Sequence, residues 1–182
     1  MLNQKSPRAI LFIILILIII IAPLFVLIFP LFSVETFHFE RGEIVLISSG
    51  KNFYIVAIAF ITLIIGVLTL IIKRNMITYI LSGLFCLTFL VLMYASTISY
   101  TLIHKEYIVI QDITVSSKYY WEEISDVVYE YEVGSFGTYY FRTKEGDEFS
   151  IKENGQFGRD ETREIAHIIN IKHINYEKKQ LK

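Results

Sequence analysis

AILFIILILIIIIAPLFVLIFPLFS, residues 9–33, runs for about 25 residues without an ionisable side chain. An uncharged apolar run of about 18 residues or more is long enough to cross the hydrocarbon core of a bilayer as a helix. This run is much longer than the core of a cleavable signal peptide, and its exit lacks the small-residue pair of a cleavage site. We therefore predict that it is a retained membrane anchor.

Two more uncharged runs follow the first. The basic turn Lys73-Arg74-Asn75 separates them, and a connection this short is typical of an antiparallel pair of helices. The sequence therefore predicts a membrane region over residues 1–103 that crosses the bilayer three times. The predicted spans are about 9–33, 53–72 and 76–103.

The loop 34–52 between the first two predicted spans has a pattern of its own. It contains the segments TFHFE and EIVLISS on either side of Arg41-Gly42, which indicates a β-hairpin. The alternative is an irregular loop with a few apolar residues at the membrane interface. By parity, three spans put this loop and the C-terminal region on the same side of the membrane.

The composition changes after Ile103, where charged residues accumulate. From His104 onward the chain has 11 Lys/Arg and 15 Asp/Glu, a formal net charge of −4. Alternating polar and β-prone residues predict short strands, and Lys144-Glu145-Gly146-Asp147 is typical of a hairpin turn. The predicted strands cover about 107–110, 113–115, 124–133, 138–143 and 148–152.

An amphipathic helix is predicted over residues 161–174, with Asp160 as its N-cap. Strands followed by one helix predict an α+β domain over residues 104–175. Residues 176–182 are predicted to be a polar tail. The predicted fold class is therefore a membrane α-helical region of three transmembrane helices followed by a C-terminal α+β domain.

The segment YIVIQDITVSSKYYWEEISDVVYEYE, then TYYFRTKEGDEFSIKE and a closing helix, resembles the bacterial pleckstrin-homology-like domains found beside transmembrane helices in small membrane proteins. Trp121, Ile124 and Val127 form the W-x-x-I-x-x-V pattern that carries the resemblance, which covers residues 105–174. It implies an antiparallel sheet of about seven strands closed by one amphipathic helix. We hypothesise that a hairpin over residues 36–49 supplies the two strands missing from the five counted.

The polar region is unusually rich in aromatic residues, more than one face of a small sheet needs for its core. Exposed Tyr and Trp are typical of contact surfaces, so the sequence predicts a surface that binds a protein partner. Eukaryotic relatives of the resembled fold bind phosphoinositides through clustered Lys and Arg, whereas the acidic strands here disfavour phosphoinositides and nucleic acid. The predicted contact residues are Tyr119, Trp121, Tyr129, Tyr131, Phe136 and Tyr139.

Sequence motifs for catalysis are lacking. There is no P-loop, no G-x-G-x-x-G and no G-x-S-x-G, and the predicted spans hold no Asp, Glu, Lys, Arg or His, which disfavours pumps, proton-coupled carriers and intramembrane proteases. Glu122 and Glu123 are adjacent, so they would point to opposite faces of a strand, and we interpret them as solvated charges. The histidines lack metal-ligand spacing, so no cofactor or metal is predicted: His38, His104, His167 and His173.

Positive charge near the predicted spans sets the expected orientation. Lys5, Arg8 and the turn at 73–75 place the N-terminus in the cytoplasm and the C-terminal domain outside it, in a multi-pass protein of the plasma membrane. The predicted function is a non-catalytic interaction module with a scaffolding, regulatory or protective role. One alternative is an accessory subunit of a transporter or envelope-modifying enzyme, and another is an enzyme with a site around Glu122, Glu123 and His104.

Overall fold

The computed structural model describes residues 6–181; residue 182 and residues 1–5, which include Lys5, lie outside this range. Three long helices come first, α1 (Pro7–His38), α2 (Gly50–Ile72) and α3 (Met76–Ala95). Each is long and apolar enough to cross a membrane. The prediction of three apolar helices is confirmed, and they indicate a membrane protein.

The turn between α2 and α3 is fixed by a reciprocal cap. Asn75 Oδ1 accepts a hydrogen bond from Thr78 N at 2.9 Å, and Thr78 Oγ1 accepts one from Asn75 N at 3.0 Å. This capping box satisfies two backbone N–H groups that the first turn of α3 would leave unpaired. Near the middle of α2, Gly66 lies against α3, where an added Cβ would stand 3.0 Å from Phe85 Cβ.

The end of α1 differs from the prediction. The helix continues to His38 and includes residues that were predicted to form the first strand of a hairpin in loop 34–52. That prediction is therefore wrong. Thr36 Oγ1 donates to Phe32 O at 2.7 Å, which keeps this polar residue compatible with a helix. The loop therefore supplies one strand, β1 (Glu43–Ser48).

The end of α3 differs as well. The helix stops at Ala95, so the predicted extension of the third span to residue 103 is wrong. The hydroxyl groups of Ser96 and Thr97 donate to the carbonyl oxygens of Met93 and Tyr94 at 2.7 and 2.8 Å, which satisfies groups that would otherwise be left unpaired at the helix end. The following residues form a strand, β2 (Tyr100–His104).

Within residues 6–181, eight strands form two four-stranded sheets. The first sheet has the order β1-β2-β3-β4 and the second the order β7-β6-β5-β8. Neighbouring strands are antiparallel from β2 to β4 and from β5 to β7, whereas β8 runs parallel to β5. The remaining strands are β3 (Tyr107–Gln111), β4 (Ser116–Tyr120), β5 (Ile124–Tyr131), β6 (Thr138–Thr143), β7 (Glu148–Lys152) and β8 (Asn175–Gln180).

Three of these strands lie where the sequence predicted something else. β2 was assigned to a membrane span, β8 to a polar tail, and β4 lies beyond the predicted strand at 113–115, where Asp112 N donates to Val115 O in a turn. The tail was misjudged because an edge strand needs only a backbone ladder, not apolar side chains. A helix, α4 (Arg159–Ile171), precedes β8.

The chain divides into two compact units. Of the described residues, the helical unit comprises 6–38 and 48–99, and the β-rich unit comprises 39–47 and 100–181. The β-rich unit therefore begins in the connection between α1 and α2, and the chain returns to it after α3.

The β-rich unit has one core between its two sheets and α4. Trp121 is fully buried there, and its indole Nε1–H donates to His104 O at 2.9 Å. Its ring packs edge-on against Phe141, with ring centres 6.1 Å apart. Helix α4 contributes Ile165, Ile168 and Ile169, spaced so that they share one face.

The helical unit buries a polar cluster at one end of its helices. Asn52 has no exposed surface, and its Nδ2 donates to Ser99 O at 2.7 Å and to Ser48 Oγ at 3.0 Å. Apolar side chains form a separate cluster, in which the ring of Phe60 packs edge-on against Phe25 and Phe89. The buried polar members of this unit are Ser33, Ser48, Asn52, Ser96, Thr97 and Ser99.

Candidate functional site

Two of the six predicted contact residues belong to the core. Trp121 is 0% exposed and Tyr139 is 2% exposed, so neither can contact a partner. The prediction assumed one sheet with one buried face, whereas two sheets face a common core. Two inner faces bury more aromatic rings than one, which accounts for the surplus.

Three further predicted residues are half-buried. Tyr119 stacks on Phe149 with ring centres 4.3 Å apart, and Tyr129 stacks on Tyr131 at 5.7 Å. The Tyr129 hydroxyl donates to Glu153 Oε2 at 2.8 Å, and burial together with this bond raises the pKa of Tyr129. These rings mostly serve the fold.

Phe136 is the member of the predicted set that is clearly exposed, at 55%. It lies in the β5–β6 turn, next to Gly137, where an added Cβ would stand 2.4 Å from the Tyr129 ring. Gly137 N donates to Glu153 Oε2 at 3.0 Å, so one carboxylate holds both the turn and Tyr129. The turn that presents Phe136 is thus anchored to the sheet.

A large surface groove of the β-rich unit lies on the outer face of the second sheet, with a volume of about 760 Å³. Successive side chains of a strand alternate between faces, and the strand register brings the outward ones into three rows. The rows are Glu148–Arg142–Asp126–Asn175, Ser150–Tyr140–Val128–Glu177 and Lys152–Thr138–Glu130–Lys179.

Four of the seven charged residues in these rows form ion pairs. Arg142 contacts Glu148 Oε1 through both Nε and Nη2 at 2.8 Å, and Lys179 Nζ lies 2.9 Å from Glu130 Oε1. Bonds from Asn175 and Ser125 lower the pKa of Asp126, and Glu130 raises the pKa of Lys179. The face therefore presents both signs of charge in a fixed pattern.

Tyr140 lies in the central row and is 46% exposed. It borders the large groove and a second groove of about 420 Å³, which Phe136 also lines. Exposed aromatic rings among ordered charges are typical of protein contact sites. The outer face of the second sheet, with Tyr140 at its centre, is therefore the candidate functional site.

The residues considered for catalysis all have structural partners. Glu122 pairs with Lys172, and Glu123 Oε2 accepts a bond from Tyr120 N at 2.9 Å. His104 Nδ1 accepts a bond from Glu106 N, so its proton lies on Nε2, which donates to Arg41 O at 3.1 Å.

Glu122, Glu123 and His104 thus form hydrogen bonds and an ion pair within the β-rich unit. Among residues 6–181, no group of three or more His, Cys, Asp or Glu side chains is arranged to hold a metal ion.

Sequence reasoning placed Tyr139 on the surface and did not select Tyr140. The signal that separates them was present, because Arg142 follows Tyr140 by two residues and a charged residue marks the solvent face of a strand. Glu130 and Lys179 could not have been paired from sequence, since β8 itself was not predicted.

No protein-family model matches the sequence, and no curated protein matches it.

Proposed function

We propose that this chain is a membrane-anchored interaction module in which the outer face of the second sheet binds a protein partner. Its role is scaffolding, regulation or protection of that partner, without catalysis. The observation that carries the proposal is Tyr140, an exposed ring between two grooves and among paired charges. Such rings are the residues from which binding energy at interfaces most often comes.

The β-rich unit is proposed to be pleckstrin-homology-like. Two four-stranded sheets around a single core, with an amphipathic helix, support this interpretation. Trp121, Ile124 and Val127 of the W-x-x-I-x-x-V pattern are all buried in that core. The sequence predicted five strands, and the first sheet contains two more, β1 and β2. Strand β1 precedes α2, and β2 follows α3.

The partner is proposed to be a protein, with lipid and nucleic acid disfavoured. On the outer face, Arg142 and Lys179 are each bound to a carboxylate. The remaining cation of the face, Lys152, stands among four carboxylates, whereas binding an anionic headgroup or a phosphate backbone would require a cluster of cationic groups that are not neutralised. Mixed, fixed charges instead select a complementary protein surface.

We further propose that the protein lies in the plasma membrane with the β-rich unit outside the cytoplasm. The pairing of β1 with β2 requires both strands to be on one side of the membrane, which supports an even number of crossings, by α2 and α3, between them. The positive residues Arg8, Lys73 and Arg74 lie at the opposite ends of the helices and support a cytoplasmic N-terminus.

The second candidate function is an accessory subunit of a transporter or envelope-modifying enzyme. The observation in its favour is α3, none of whose residues is buried. A helix that packs on α2 along one side and is apolar and uncovered on its other sides can pack against another membrane protein as readily as against lipid.

A photo-crosslinking amino acid at position 140 tests the proposed contact. We expect a discrete adduct with one protein in living cells, and none from the matched position Val115, which is exposed in the β3–β4 turn away from the outer face. Equal labelling at both positions, or none at either, would contradict the proposal. An adduct with a transport or enzyme subunit would favour the second candidate.

Charge reversal at the outer face provides the second arm of the test. Arg142→Glu is expected to abolish the adduct at position 140 while leaving the fold intact, because Arg142 is exposed. Lys105→Glu, which removes an exposed ion pair with Glu164 elsewhere in the β-rich unit, is the matched control. An adduct that survives Arg142→Glu would show that the charges do not select the partner.

A further inference from the structure

The β3–β4 turn of the first sheet exposes two apolar side chains. Ile113 is 49% exposed and Val115 is 60% exposed, and neither belongs to the core of the β-rich unit. The stretch from Ile113 to Ser117 carries no charge. Two branched apolar residues on one short turn can be buried only against something outside the fold of this unit.

The backbone of this turn is hydrogen-bonded internally. Asp112 N donates to Val115 O at 2.7 Å, and Asp112 Oδ1 accepts a bond from Ile113 N at 2.9 Å. Transfer out of water is costly for backbone groups that have no hydrogen-bond partner. These bonds therefore lower the cost of moving the turn into a less polar environment.

The strand register places the turn at one end of the first sheet. Tyr100, the first residue of β2, lies opposite Gln111, the last residue of β3. Because the two strands are antiparallel, residues 112–115 continue beyond Tyr100 in the direction from which the chain enters β2. The chain enters β2 from α3.

Both covalent connections to the α2–α3 pair leave the first sheet at this end. Strand β1 ends at Ser48 and α2 begins at Gly50, so the Cα atoms of these two residues are at most about 7 Å apart. Four residues link α3 to β2, and the two connections run side by side, since Ser49 N donates to Ser99 O at 3.2 Å. The 23 residues of α2 are enough to extend beyond the hydrocarbon core of a bilayer. The end of the sheet that carries the turn is thus tied to the membrane surface.

We propose that the β3–β4 turn docks on the lipid bilayer, with Ile113 and Val115 inserted at the boundary between headgroups and acyl chains. Binding of a surface element to a bilayer depends on the apolar area that it buries there. The covalent connections keep the turn at a high effective concentration near the lipid, so a small apolar area suffices. A bilayer is favoured over a protein because the chain itself holds the turn next to it.

This inference goes beyond the proposed function and concerns a different surface. The candidate site for a protein partner lies on the outer face of the second sheet, whereas the turn belongs to the first. A docked turn restricts the rotation of the β-rich unit about its covalent connections.

Quenching of a fluorophore by a labelled lipid tests the docking. In a Cys86→Ser background, which removes the single cysteine of the sequence, Thr114→Cys at the exposed tip of the turn carries an NBD fluorophore. The full chain is reconstituted in phosphatidylcholine vesicles that contain a phospholipid with a nitroxide on its acyl chain. We expect strong quenching at position 114.

Glu106→Cys, labelled in the same way, is the matched control. Glu106 is exposed in the β2–β3 turn, at the opposite end of the same two strands, and we expect the lipid to quench it much less. No quenching at position 114, or equal quenching at the two positions, would overturn the proposal.

Replacing the two apolar residues separates insertion from proximity. Ile113→Asp with Val115→Asp is expected to lower the quenching at position 114 by about threefold or more, because a carboxylate resists transfer out of water. Ile113→Leu with Val115→Leu should preserve it. The emission of Trp121, the single tryptophan of the sequence, reports whether the core stays intact in each variant. Unchanged quenching in the aspartate variant would show that these side chains do not insert.

A protein occupant would give a different result in living cells. A photo-crosslinking amino acid at position 115 would then form a discrete adduct with one protein, whereas lipid as the occupant leaves no such adduct. A discrete adduct would assign the turn to a protein partner and overturn the proposal. The adduct at position 140 is read separately, so either proposal can fail alone.

Discussion

The helical unit and the β-rich unit place their polar and apolar groups in opposite ways. On the helices, large apolar side chains are exposed along the whole length while Asn52 and its hydroxyl neighbours are buried. In the β-rich unit most apolar and aromatic side chains are buried, with Phe136 and Tyr140 among the exceptions, and the charges lie outside. The same physical chemistry thus gives two arrangements, because the first unit is built for lipid and the second for water.

The largest effect is expected where the β-rich unit depends on its core. Trp121→Ala removes a fully buried indole and its bond to His104 O, and should destabilise this unit by about 3–5 kcal/mol. Limited proteolysis in detergent during a thermal ramp measures it, and we expect cleavage after residue 103 with the helices intact.

Phe136→Ala is the matched control for that experiment. Its ring is exposed, so its removal should change the stability by less than about 0.5 kcal/mol. Simultaneous cleavage of both units in Trp121→Ala would contradict the separation drawn between them.

The buried polar cluster offers the reverse experiment in the helical unit. Asn52→Leu, although more apolar, is expected to destabilise the helices by about 1–3 kcal/mol, because Ser48 and Ser99 lose a buried donor. Unfolding in a titration from mild detergent into SDS measures the change. Tyr54→Leu, at an exposed position of the same helix, should leave the stability of the helices nearly unchanged. If Asn52→Leu stabilised the helices, the buried polar cluster would not contribute to their stability.

Close packing of α2 on α3 predicts a smaller effect. Gly66→Ala brings a methyl group to 3.0 Å from Phe85 Cβ, and the crowding is expected to cost about 1 kcal/mol. Gly83→Ala is the matched control, since its added Cβ meets nothing within 4 Å. The same SDS titration distinguishes them, and equal behaviour of the two variants would show that the helices do not approach at Gly66.

The smallest effect tests whether residue 40 belongs to the β-rich unit. The Tyr107 hydroxyl donates to Glu40, which raises the pKa of Tyr107 from 10.0 to about 12. Because the folded value is raised, this contact stabilises the unit below pH 10 and is lost as the pH rises toward 12. Glu40→Gln should return the titration toward 10.0, as read by tyrosinate absorbance.

The titration step of Tyr107 has to be distinguished from those of the other tyrosines. Tyr107→Phe removes the high-pH step and identifies it among the other tyrosines. If Glu40→Gln leaves that step unmoved, the connection between α1 and α2 is not packed on β3 as described.

The long features of the fold could be predicted from sequence and the strand pairings could not. Three apolar helices follow from uncharged runs that only a bilayer accommodates. The uncharged run from Met76 to Ile103 includes the strand β2, which the sequence did not reveal. An apolar strand buried in a protein core and a membrane span buried in lipid have similar compositions. Ser96 and Thr97, which end α3, were the local signal of the boundary.

The aromatic contact surface stays a prediction, and the residues selected for it divide between the surface and the core. Phe136 is exposed, but Trp121 and Tyr139 are buried. Burial depends on how many sheets face the core, and that number depends on β1, β2 and β8. Their partners are distant in sequence or lie beyond a helix, so local patterns carry little information about them.

The chain enters the first sheet twice, at β1 and again at β2, with two apolar helices between. During synthesis β1 must therefore wait, unpaired, until α2 and α3 have both been delivered to the bilayer. In a copy where only one of these two helices crosses the bilayer, β1 and β2 lie on opposite sides of it, and β1 cannot join the sheet that β2, β3 and β4 form. The complete four-stranded sheet can therefore form only in copies whose membrane topology is correct.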